Sequence, residues 1–110
     1  MDKTVDRAIA EFVKLVKGKY LDVEYVYLFG SYARGNYNQD SDIDLALVFK
    51  NLADSDRFDT QVQLMLLASQ IDSRIEPHPI SLEDFQSDIP FVVEIKKTGF
   101  ELLEKVRQFS

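Results

Sequence analysis

Asp42 and Asp44 stand one residue apart in the run Ser41-Asp42-Ile43-Asp44-Leu45. Read as the start of a strand over 42–49, the run alternates faces, so both carboxylates point the same way, roughly 6.6 Å apart along the backbone. Two like charges side by side repel, and strand packing does not ask for them. A divalent cation does. Mg²⁺ takes hard oxygen ligands, usually one or two carboxylates together with substrate phosphates. Ile43 and Leu45 fall on the opposite face and are expected to enter the core and fix the register.

Just upstream lies Leu28-Phe29-Gly30-Ser31-Tyr32-Ala33-Arg34-Gly35. Gly30 lacks a Cβ, so a phosphate can approach the backbone there. Ser31 offers a hydroxyl and an N–H at the start of a short turn, where anions bind well. Arg34, one turn on, can add a bidentate contact, and Gly35 lets the chain leave. A phosphate cradle beside a metal-binding carboxylate pair is what phosphoryl or nucleotidyl transfer requires. A third carboxylate would complete a two-metal site. Glu76 is the expected one, provided its segment pairs beside the Asp42–Asp44 strand, where it would ligate the nucleophile-side metal and help take the proton of the attacking hydroxyl. Asp72 is its rival, near an expected helix end. His78, the one histidine in the sequence, is read as structural or exposed. Tyr25 and Tyr27 are read as core or half-buried strand residues, with Tyr32 and Tyr37 near the pocket.

Phe29-Gly30-Ser31-Tyr32-Ala33-Arg34-Gly35 followed by Ser41-Asp42-Ile43-Asp44-Leu45 resembles the signature of the DNA polymerase β-like nucleotidyltransferases, and within them the minimal nucleotidyltransferases. The motif covers residues 29 to 45, and the order of elements around it also fits. The resemblance implies a nucleoside triphosphate substrate, Mg²⁺ and release of pyrophosphate. It implies AMP transfer from ATP to a protein hydroxyl, such as a tyrosine of the partner. That partner would be a small helical HEPN protein, paired with this chain as toxin with antitoxin. On this resemblance Gly30, Ser31 and Arg34 bind the nucleotide, and Asp42, Asp44 and Glu76 are catalytic and hold the metals. The family's third acid is more often Asp in a regular strand, whereas Glu76 stands between Ile75 and Pro77.

The elements that must position these residues read as follows. Residues 2–18 form an amphipathic helix with Val5, Ile9, Phe12, Val13 and Val16 inward, stopping near Gly18. Residues 23–29 form a strand that is apolar on most of both faces, hence covered on both sides. Residues 35–41 are a polar loop, 42–49 the acid-bearing strand and 50–56 a connection. Residues 57–71 form a helix whose apolar stripe is Phe58, Val62, Met65 and Leu66. Residues 74–80 are extended, and two prolines consign them to an edge. Ser81 caps a short turn. Pro90 opens a helix through Lys97 with Gly99 at its end, and residues 100–103 read as a short strand. The fold class is α+β (α/β), a small mixed sheet covered by helices in one domain spanning 1–110.

The 110-residue chain has no cysteine, so it offers no disulfide and no thiolate zinc site. Its net charge of -6 argues against a broad nucleic-acid groove and against a nucleic-acid end-adding enzyme. No apolar run approaches a membrane span and the N-terminal residues lack a leader's apolar core, so a cytoplasmic protein is expected. A homo-oligomer stays open. The second reading is a protein of the same fold, weak or inactive as an enzyme, that neutralises a partner by occlusion through apolar faces of its terminal helices.

Overall fold

The computed structural model describes residues 3 to 103. Asp2, the expected first residue of the opening helix, lies outside them. Helix α1 (Lys3–Lys19) runs one residue past Gly18 and buries Val5, Ile9, Phe12, Val13 and Val16, as its periodicity requires. Strand β1 (Val23–Phe29) leads into the four-residue helix α2 (Ser31–Arg34). Strand β2 spans Ile43–Phe49, so Asp42 stands just before it. A 3-10 turn (Asp54–Asp56) leads into α3 (Arg57–Ser69), and β3 follows as Ile75–Ser81. Two helices, α4 (Leu82–Phe85) and α5 (Pro90–Thr98), then precede the short strand β4 (Phe100–Glu101).

The four strands form one mixed sheet in the order β3-β2-β1-β4. β1 runs antiparallel to β2 and to β4, and β2 runs parallel to β3 through the α3 crossover. As expected, β1 is covered on both sides. One sheet face carries Val26, Leu28, Ile43, Leu45 and Leu47, which pack with α1 and with Leu64 and Ala68 of α3. The opposite face carries Ala46, Val48 and Ile80, which pack with Phe85 of α4 and with Val92 and Ile95 of α5.

The edge position of β3 follows from its prolines. The Pro77 carbonyl accepts a hydrogen bond from Gln61 Nε2 of α3 at 2.7 Å, so it faces away from β2. In a strand a residue's N and C=O point to the same side, and residues two apart share that side. The nitrogens of Pro77 and Pro79 therefore fall on the free edge, where no ladder bond is lost. Ser81 caps α4 as expected, accepting from the Asp84 N–H at 3.0 Å.

The stripe expected to bury α3 is corrected by the structure. Phe58 is 72% exposed and Met65 and Leu66 are also exposed, while Leu64 and Ala68 face the sheet. The sequence of α3 is apolar on more than one side, so its periodicity does not select the inner face.

Gly99 closes α5 for a steric reason. Its φ of -88° suits any residue, but a Cβ there would lie 2.6 Å from the Ile95 carbonyl oxygen and 2.9 Å from that of Leu28. Gly99→Ala is expected to destabilise the fold by about 1–3 kcal/mol through this overpacking. A urea titration of both proteins measures it, and an unchanged midpoint would refute the contact.

Candidate functional site

β1 and β2 bring the two sequence motifs together. Phe29 pairs with Asp44, and Asp44 in turn pairs with Glu76 of β3. Asp44 is therefore at the middle of a row, with the glycine turn on one flank and the third acid on the other. The alternation of β3 puts Glu76 and His78 on the Asp44 face. This face is filled by α4 and α5 toward Val48 and stays open at the Asp44 end.

Gly30 makes that neighbourhood possible. It enters α2 with φ 75° and ψ -150°, a conformation that is essentially confined to glycine. The turn packs directly on the second aspartate, so a Cβ at Gly30 would fall upon Asp44 Oδ2. Ser31 and Arg34 open and close α2, with Arg34 exposed and its N–H donating to the Gly30 carbonyl at 3.0 Å. Gly35, at φ 79°, turns the chain out of the helix.

The ligand atoms of Asp44, Glu76 and His78 all lie within 4.8 Å of one another. His78 Nε2 is 3.3 Å from Asp44 Oδ1. The side chain of Asp42, which is exposed, meets this group at its rim, through Glu76. A hydrogen bond with Asp42 is the first cause that lifts the Glu76 carboxyl above its ordinary value, followed by burial and the Asp42 charge. His78 works against this shift, and Asp44 adds to it. Carboxylates this crowded favour either a shared proton or a cation. Asp44, Glu76 and His78, with Asp42 at the rim, fit a divalent metal ion on these grounds.

The histidine is the residue that the sequence reading set aside. Its ring meets Phe29 edge-on at 5.1 Å, and Phe29 meets Phe91 of α5 at 5.5 Å. The parallel register of β3 carries His78 to Asp44, and no local pattern announces that register. Asp72 falls outside the group. It pairs with Arg74 at 2.8 Å, and the Arg74 hydrogen bond holds its carboxyl below the ordinary value. Tyr32 and Tyr37 stack on one another at 4.2 Å with Tyr32 buried. A cavity of about 310 Å³ opens beside His78, between β3 and the helices that carry Gln61 and Phe91.

Because the Glu76 carboxyl is raised in the fold, its ionisation weakens the fold as pH climbs through the carboxylate range. Below its unfolded value the contribution is fully favourable, and it is lost as pH rises through the folded value. Without added metal at pH 7, Glu76→Gln is therefore expected to raise the melting temperature by a few degrees. A melt at pH 4 should show a smaller gain. An equal gain at both pH values would refute charge crowding.

The family model described as "Polymerase beta, Nucleotidyltransferase" matches residues 11–108. A provisionally named protein adenylyltransferase of Methanocaldococcus jannaschii is 50% identical over 44 residues, which is 39% of this chain and 44% of that protein. The match thus spans less than half of that relative's length. A crystal structure from Sulfolobus solfataricus, provisionally assigned as a nucleotidyltransferase, superposes with a TM-score of 0.64 at 24% identity, covering 93% of this chain and 87% of that one. The MNT antitoxin in complex with the tri-AMPylated HEPN toxin of Shewanella oneidensis superposes at 0.58 and 21% identity, covering 88% and 70%. A toxin–antitoxin structure with AMP-PNP gives 0.60 at 23% identity, covering 90% and 77%. At these identities the superpositions show a shared fold.

Proposed function

The chain belongs to the polymerase beta nucleotidyltransferase family, and from that premise we propose that it is a Mg²⁺-dependent enzyme. It moves AMP from ATP to a hydroxyl of a protein partner, as the antitoxin of a HEPN-type toxin. The observation that carries this reading is the row through Asp44, with the Gly30 turn against one side and Glu76 and His78 on the other.

In this reading Gly30, Ser31 and Arg34 hold the triphosphate on the β1 flank of Asp44. Asp44 and Glu76, with His78 beside them and Asp42 at the rim, would hold the metal. A metal bound there would supply positive charge against the charge building on the phosphates. The acceptor approaches from the β3 flank, opposite the cradle, as an in-line displacement demands. The acceptor oxygen forms a bond to the α-phosphorus, the bond to pyrophosphate breaks, and pyrophosphate leaves with the electron pair. Glu76, the carboxylate on the acceptor's flank of the row, takes the hydroxyl proton. A cytoplasmic setting fits ATP and a protein acceptor. No helix among the described residues is long and apolar enough to cross a membrane.

A second reading retains the fold and neutralises a partner by occlusion. The exposed Phe58, Met65 and Leu66 of α3 favour a partner-binding surface of this kind. One incubation separates the two readings: α-labelled ATP, Mg²⁺, this protein and a co-purifying helical partner. Label on the partner that vanishes with Asp42→Asn supports the enzyme. Stable binding without any label supports occlusion.

A further inference from the structure

We propose that Arg74 is a positioning residue that holds the Gly30–Arg34 turn in place against the acids, acting through Tyr32 and the 35–41 loop. The inference rests on the reading of that turn as the phosphate cradle.

Arg74 is gripped first by Asp72. Its Nε donates to Oδ1 at 3.1 Å and its Nη2 to Oδ2 at 2.8 Å, a two-bond fork. The Arg74 backbone N–H also donates to Asp72 Oδ1, at 2.9 Å. With the guanidinium plane fixed in this way, Nη1 reaches two oxygens in distant parts of the chain. It donates to the Tyr32 hydroxyl and to the Gln39 carbonyl, each at 3.3 Å. Tyr32 lies inside α2, only 6% exposed, with its ring stacked on Tyr37 of the loop. Arg74 thus ties α2 and the loop to the root of β3.

The backbone of the same residue sets the other side of the site. The Arg74 carbonyl accepts from the Ile43 N–H at 2.8 Å, ahead of the rung that pairs Asp44 with Glu76. One residue therefore sits where cradle, loop and acid row meet. A lysine could keep the charge but not the geometry, because the ammonium is a point donor and lacks the planar fork. Asp72, which the sequence offered as a metal ligand, is on this reading the anchor of the brace.

The test uses ATP with Mg²⁺, followed by calorimetry and by amide signals, on the unmodified chain and on Arg74→Lys, Tyr32→Phe and the double variant. Arg74→Lys and Tyr32→Phe should each weaken ATP binding roughly three- to tenfold, the effect of one lost hydrogen bond. Both should shift the Gly30 and Ser31 amide signals before any nucleotide is added. The double variant should lose little more than Arg74→Lys alone, since Tyr32→Phe breaks a connection that Arg74→Lys has already broken. Ser81→Ala, which removes the α4 cap, controls for lost stability and should bind ATP like the unmodified chain.

Full affinity in Arg74→Lys would overturn the proposal, as would unmoved Gly30 and Ser31 signals or additive losses. Failure of the unmodified chain to bind ATP would overturn the cradle reading itself. The amide shifts of the free variants keep these two failures distinguishable.

Discussion

Asp44→Asn is expected to lower nucleotide transfer at least about a thousandfold, the scale of losing a charge that holds a catalytic metal, while the protein stays folded. Asp44 is the common neighbour of the glycine turn, Glu76 and His78. It pairs with Phe29 and with Glu76, packs on Gly30 and lies 3.3 Å from His78 Nε2. Asparagine keeps the volume and can still hydrogen-bond to the histidine, but it brings no negative charge for a cation. It also takes one of the charges that raise the Glu76 carboxyl out of the cluster. The melting temperature without metal should therefore hold or rise as activity falls. Labelled-ATP transfer measured beside a thermal melt decides the matter, and transfer within tenfold of the unmodified chain would sink the assignment.

Gly30→Ala should be the most damaging small change in the protein. Two costs combine at this position. The backbone sits at φ 75° and ψ -150°, a region where a side chain costs about 1–3 kcal/mol. The added methyl also meets Asp44, with Cγ only 3.2 Å away and Oδ2 closer still. Either the turn or the aspartate must move, and a displacement of about 1 Å at a reacting group can cost on the order of a hundredfold in rate. A loss of about 3 kcal/mol in stability and of at least about a hundredfold in transfer is expected.

Gly35→Ala supplies the comparison. Gly35 also has positive φ, at 79°, but a Cβ there meets nothing within 4 Å. It should cost only the backbone term, roughly 1–2 kcal/mol, with ATP affinity intact. Equal effects of the two substitutions on transfer would show that backbone strain, and not the contact with Asp44, sets the role of Gly30.

Much of this architecture is written in local patterns. The core stripe of α1, the alternation of β1 and β2, the Ser81 cap and Pro90 at the head of α5 each depend on neighbours a few residues away. A linear reading recovers them for that reason. The α3 face is different. Its sequence offers apolar residues on more than one side, and only the sheet beneath it decides that Leu64 and Ala68 go inward while Phe58 stays in solvent.

The same division runs through the site. Gly30, Ser31, Asp42 and Asp44 stand out in the sequence because their chemistry is compressed into a short span and their spacing has a physical meaning. Glu76 could be nominated from its residue type, but its place beside Asp44 depends on a parallel register formed across the α3 crossover. That register also brings in His78, and it gives Asp72 to Arg74 instead of to a metal. Sequence alone determined which residues carry charge, where the chain must turn and which strand bears the acids. Tertiary structure decided which of those charges meet, because pairing between strands some thirty residues apart is set by the packing of the whole sheet and not by any local preference.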